Sequence, residues 1–230
     1  KFYRYRFAGR QNRILNLNWW MGTAINTFEF VYKHDQSTNT QTILKSSGSG
    51  TENLWDLRLV PSSDGLSSSF EFRLNNSLTG SLTIADNAIS MSTVYSNIRD
   101  GQLWNVMLQR TTDGDTNTTH EYRLHSALQD NKTIQEYNYV TMSVDGSSST
   151  ETNQANQNFI GTGSRHPISS SNLCVGETLT GSLGEIRGWS TALSASKFRQ
   201  HTFNKFSIVG NTILSHCKEL VYHYKLNENL

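Results

Sequence analysis

Bulky apolar residues alternate with polar ones in short runs along the whole chain, the period-two signature of half-buried β-strands. The pattern predicts strands over Phe2–Phe7, Phe28–Tyr32, Thr42–Lys45, Leu54–Val60, Phe70–Leu74, Leu103–Leu108, Tyr122–His125 and Tyr137–Val144. Pro61 closes the fourth run, as suits a residue with no backbone donor. Asp113–Gly114 lies between two of the strands and Asp145–Gly146 follows the last. An Asp-Gly pair flanked by alternating runs predicts a hairpin. Ser46–Thr51 and Gly146–Asn153 read as polar loops.

One helix is predicted, over Ser194–Phe203, with Ser194 capping its free N–H groups. The tail Leu220–Leu226 repeats the aromatic and basic pattern of Phe2–Phe7 and predicts a last strand. Either it pairs with Phe2–Phe7 inside one module, or it opens the next module of a tandem array. The expected division is residues 1–206 as one body and 207–230 as a strand extension or a connection to a neighbour.

The segment Leu173–Ser194 is the most informative. It predicts a short apolar strand, a glycine turn, a second strand bearing Leu183, Ile186 and Trp189, and a helix start. Gly181, Gly184 and Gly188 sit where a side chain would hinder a bend or a close approach. Together with Leu103–Val106 and the turn at Asp113–Asp115, this run resembles the concanavalin A-like jelly rolls of the laminin-G and pentraxin type. The resemblance spans residues 2–203 and is specific in its last third. It implies an all-β, two-sheet antiparallel jelly-roll sandwich with one short helix near the C-terminus. It also implies a module that binds or assembles more often than it catalyses, with Ca2+ at a loop rim. Asp113, Asp115 and Asn117 offer oxygens at alternate positions for such a hard cation. The alternative there is an Asx-rich turn with no metal; no other cofactor is expected.

Composition narrows the function classes. A chain of 230 residues suits one large β-domain. Its 20 basic and 19 acidic residues are interspersed and leave a net charge of +1. That is not the basic stripe of a nucleic-acid binder. No apolar run of about 18 residues is available to span a membrane. Cys174 and Cys217 are too few for a disulfide scaffold, which leaves two free thiols or one bridge from the late strand to the tail. The chain starts at Lys1, which predicts processing or excision from a longer protein.

Catalytic signatures are weak. A retaining glycosidase needs two carboxyl groups about 5–5.5 Å apart, which on one strand means acids at i and i+2 or i+4. Glu29, Glu71, Glu121 and Glu185 each stand alone on their strands, and Glu185 reads as the partner of Arg187. Ser62–Gly65 has only the outline of a sialidase Asp box. Ser194 and Lys197 have the spacing of an acylating Ser-x-x-Lys motif, without the other boxes of that chemistry. The seven histidines show no metal-ligand spacing and read as surface or strand residues. No enzyme is expected, and a glycoside hydrolase is the weakest alternative.

Saccharide binding uses exposed aromatic rings with polar neighbours. Trp19 and Trp20, flanked by Asn16 and Asn18, are the candidates, against the alternative that the indoles are buried. Trp55, Trp104 and Trp189 lie in strands and read as core. Sequons stand at Asn75, Asn117 and Asn131. Uncharged polar residues are abundant, charged residues make up 17% and Pro numbers 2, a texture shared with virion proteins of tailed phages. The expected function is a structural or accessory module of a virion, partnered by its protein subunits. The alternative is a lectin module for cell-surface glycans, in a virion or a secreted, extracellular protein.

Overall fold

The structure is a computed structural model, and it describes residues 5–8, 15–18, 25–35, 38–47, 53–74, 89–98, 101–112, 119–145, 160, 172–210 and 215–226. Thirteen strands form two antiparallel sheets among these residues. The strands are β1 (Tyr5–Ala8), β2 (Leu15–Asn18), β3 (Thr27–His34), β4 (Gln41–Ser47), β5 (Asn53–Pro61), β6 (Ser68–Leu74) and β7 (Ile89–Ser92). They continue as β8 (Leu103–Thr112), β9 (Thr119–Asp130), β10 (Thr133–Asp145), β11 (Asn172–Val175), β12 (Thr180–Trp189) and β13 (Leu220–Tyr224). Sheet A has the order β1-β12-β3-β8-β9-β10, with β13 also paired to β12; sheet B has the order β2-β11-β4-β5-β6-β7. Two stacked antiparallel sheets are built from the strands that the alternation predicts, in the jelly-roll sandwich that the resemblance implies.

The alternation explains the packing. Phe28, Phe30 and Tyr32 of β3, with Trp104, Val106 and Leu108 of β8, all point between the sheets, where they meet Trp55, Leu57, Phe70 and Phe72 from sheet B. Aromatic pairs bridge the layers: Phe28 to Trp55 at 5.4 Å and Phe72 to Tyr122 at 5.1 Å between ring centroids. Trp55, Trp104 and Trp189 are fully buried, as the strand pattern predicts. Pro61 is the last residue of β5.

Strand β12 departs from regular alternation. Leu183 and Ile186 are three residues apart yet both lie in the core, which an unbroken strand forbids. The register against β3 slips between Gly184 and Arg187, and Glu185 takes φ 55°. This bulge turns Glu185, Arg187 and Trp189 together to the outer face of sheet A. Gly181, at φ 145°, and Gly188 are required: an added Cβ would lie 2.6 Å from the Lys33 carbonyl oxygen and 2.5 Å from the Tyr222 ring, respectively.

Helix α1 (Ala195–Phe203) follows and covers that outer face. Ser194 caps it by accepting from the Lys197 N–H at 3.1 Å. The Lys197 ammonium donates to the Val209 carbonyl at 2.7 Å, so the Ser-x-x-Lys spacing serves the helix. Phe198 and Leu193 form a second, smaller core with Trp189, Met107 and Ala127.

The tail corrects one expectation. β13 is a strand, but its partner is β12 and not the N-terminal strand. β1 pairs with Thr180–Leu183 and β13 with Ile186–Trp189, so the two lie end to end along one edge of β12. A half-strand at each end of the chain can pair there only because β12 is ten residues long. Cys217 carries a free thiol.

Candidate functional site

The outer face of sheet A, under α1, holds a cleft of about 240 Å³ including its mouth. β3 presents Glu29 to it, the β12 bulge presents Glu185 and Arg187, and α1 and the turn after it present Phe198, His201, Thr202 and Lys205. Glu29 accepts from the Trp189 indole at 3.0 Å and from His201 Nδ1 at 2.9 Å. Trp189 and His201 stack at 5.7 Å. Glu185 accepts from Arg187 at 2.8 Å and from His223 of β13 at 2.6 Å. Arg187 also donates to the carbonyls of Ser207 and Lys205, tying the chain after α1 to the sheet. The cross-strand register brings Glu29 and Glu185 to one cleft, a juxtaposition invisible to a search along single strands.

Each carboxylate is held by bases, which decides what it can do. Burial pushes the Glu185 carboxyl up, but the bonds from His223 and Arg187 outweigh burial and hold it below the usual range. Such a group is ionised and cannot act as a general acid. Burial lowers the Lys205 ammonium to about 8, and it donates to the Thr202 carbonyl at 3.0 Å and to Gln129. Asn105 Nδ2, Arg187 Nε and His201 Nε2 have no protein partner among the described residues. The cleft is polar and wide enough for ordered water to bridge them.

Beside this cleft lies an aromatic corner. His125 of β9 is 1% exposed, and its Nδ1 is hydrogen-bonded to the Tyr137 hydroxyl at 2.8 Å. The ring also packs on Tyr139 at 4.8 Å and on Phe198 at 5.5 Å. Burial, with help from Arg123, lowers the His125 imidazole to about 4. The unfolded chain binds this proton near pH 6.5 and the folded chain only near pH 4. Between those values the unfolded state holds more protons, so stability is full above pH 6.5 and falls as pH drops towards 4. The full loss is about 3 kcal/mol. Melting curves from pH 7 to 4.5 should show that slope, and His125→Gln should flatten it.

The outer face of sheet B is different in kind. Charged side chains stand opposite one another across strands: Arg58 of β5 with Glu71 of β6, and Asp56 of β5 with Arg73 of β6, at 2.9 Å for the longer of its two bonds. Lys45 of β4 reaches Glu177 at 2.5 Å. Ser90 and Ser92 of β7 extend both rows and are exposed. Alternation puts these residues opposite the core rows of Trp55, Leu57, Phe70 and Phe72. The result is a grid of paired charges in which Asp56 is buried, Arg58, Glu71 and Arg73 are half-buried, and Ser90 and Ser92 are exposed; among the described residues no helix packs on it.

The residues singled out by sequence fall at its margin or beyond view. Asn16 and Asn18 lie on β2, the edge strand of sheet B, opposite Cys174 and Asn172 of β11. Trp19 and Trp20 lie outside the described residues, as do the calcium candidates Asp113, Asp115 and Asn117. Among the described residues no three His, Cys, Asp or Glu side chains could hold a metal ion together. The reading of Glu185 as a partner of Arg187 holds. Sequence reasoning missed the Arg58–Glu71 and Asp56–Arg73 rows, although alternating charges on two adjacent strands were the available signal.

No family model and no curated protein matches the sequence. Solved structures do resemble the fold. The native heptameric SAP-like pentraxin of Limulus polyphemus is 16% identical, with 97% of this chain and 91% of that chain covered and a TM-score of 0.50. The CBM40 of the Ruminococcus gnavus IT-sialidase, solved bound to α2,3-sialyllactose, is 11% identical, with 85% and 94% covered and a TM-score of 0.47. An alginate lyase from Alteromonas sp. 272 is 11% identical, with 76% and 57% covered and a TM-score of 0.33. The chain shares the two-sheet antiparallel jelly-roll fold of that pentraxin. At these identities the likeness defines the architecture and leaves function to the sites.

Proposed function

We propose that this chain is a non-catalytic recognition module that binds saccharide on the outer face of sheet B. The carrying observation is the grid of Arg58, Glu71, Asp56, Arg73, Ser90 and Ser92 laid across three strands. Saccharide hydroxyls need donors and acceptors at fixed spacing, and a sheet supplies them on a rigid backbone. Charged partners make the stronger hydrogen bonds. Asn16 and Asn18 lie on the edge strand of the same sheet, and Trp19 and Trp20 follow them in the sequence. The tethering of Glu29, Glu185, Asp56 and Glu71 to bases supports the absence of catalysis. The virion setting has only the uncharged, loop-rich composition behind it, and the grid suits a particle or a secreted protein equally.

A glycan array with the isolated domain, followed by calorimetry with and without calcium, tests this reading. Binding is expected to weaken at least about tenfold in Arg58→Ala, the cost of one charged hydrogen bond, and also to weaken in Trp20→Ala. Silence across the array overturns it. So does turnover of β-glucans or sialosides that Glu185→Gln abolishes.

A further inference from the structure

The aromatic corner on sheet A has properties that the fold does not require of it. Tyr139 is far from α1 in the chain, yet its ring is stationed beside that helix through His125 and remains 50% exposed. Tyr137, two residues earlier on the same face, has its hydroxyl fixed by His125. The Arg199 guanidinium of α1 lies 4.7 Å from the centre of the Tyr137 ring. Arg199 is exposed, and among the described residues it has no carboxylate partner. Its neighbour in charge, Arg123, is bonded to Glu121. Thr141 and Ser143 continue the row of Tyr137 and Tyr139 along β10 and are exposed.

We infer that Tyr137, Tyr139 and Arg199 form a second saccharide subsite, on the opposite side of the sandwich from the sheet B grid, and that it takes acidic sugars. Tyrosine rings give large amphipathic contact area for little lost freedom. Here that freedom is already spent, because His125 and Phe198 pack the two rings from below. Preorganisation of this kind raises affinity by reducing what must be ordered on binding. The apolar face of a pyranose stacks on Tyr139. The Arg199 guanidinium, 4.7 Å from the centre of the Tyr137 ring, hydrogen-bonds that tyrosine and is exposed, so its remaining N–H donors can meet a carboxylate. Glu121 is paired with Arg123, and Arg199 is the exposed cation beside the two rings. An uncharged sugar would leave this guanidinium unanswered, which sets the preference for an acidic one.

The subsite does not depend on the sheet B reading, and the experiment separates them. Trigalacturonate is titrated into the intact domain by calorimetry, with its methyl ester as the uncharged control, and the backbone amide shifts are followed by NMR. Arg199→Gln and Tyr139→Ala are each expected to weaken trigalacturonate binding about tenfold or more. The methyl ester should bind wild type and Arg199→Gln alike. Shifts should centre on β10 and α1. Both side chains are exposed enough that unchanged melting curves are expected, and Tyr139→Phe serves as the variant that keeps the ring. Absence of binding to wild type overturns the subsite, as does binding indifferent to both substitutions. Binding lost in Arg58→Ala with shifts confined to β4–β7 also overturns it, while leaving the sheet B reading intact.

Discussion

Deleting residues 219–230 is expected to lower the melting temperature by roughly 10–20 °C, at about 2–4 °C for each kcal/mol in a chain of this size. β13 is not an appendage. Tyr222 packs over Gly188, where any side chain would collide with its ring, and it lies 6.3 Å from Phe28 of the core. Val221, Tyr224 and Leu226 pack against the same core. Partial burial of four such side chains contributes about 1–2 kcal/mol each. His223 leaves with the strand, so Glu185 loses one of its two basic partners while remaining buried. Calorimetric melting of the truncated and intact chains measures the effect. An unchanged melting temperature with less self-association would mean that the strand serves a neighbouring module.

Trp189→Ala is expected to cost about 3–5 kcal/mol, the usual range for emptying a buried aromatic site. Trp189 is fully buried and anchors the second core with Leu193 and Phe198. It also donates to Glu29 and stacks on His201. Its loss opens a cavity and leaves a buried carboxylate short of a donor, and the two penalties add. Trp189→Phe should recover part of the packing but not the hydrogen bond. Urea unfolding of the three proteins separates the terms, and equal stability of Phe and Trp at 189 would remove the hydrogen bond from the account.

How far the sequence reveals this molecule depends on the range of the interactions. Period-two runs in β3, β5, β6, β8 and β10 read directly, because each strand shows one face to a core and one outward. Ser194 also read directly, since a cap acts on a backbone N–H three residues away. The four-residue strands β2 and β7 are too short to display a period. The cleft could not be read, because Glu29 and Glu185 are brought together by register and by a bulge whose left-handed residue is not glycine. The partner of the tail was misplaced for a related reason. Similar strands at the two ends of a chain suggest a pair, whereas here they are two halves of one position.

That shared position has a kinetic consequence. β13 runs towards the point where β1 begins: Tyr224 stands opposite Ile186, and Tyr5 opposite Leu183. β1 and β13 thus fill one edge of β12 with a single break between Tyr5 and Tyr224. Neither segment beside the break can settle until β12, near the far end of the sequence, has been placed. Closure of sheet A is therefore among the most non-local events in the molecule, and contacts of that span belong to the slow, millisecond-to-second class of folding reactions. Until it occurs, the edge of β12 is open to any extended segment that meets it first.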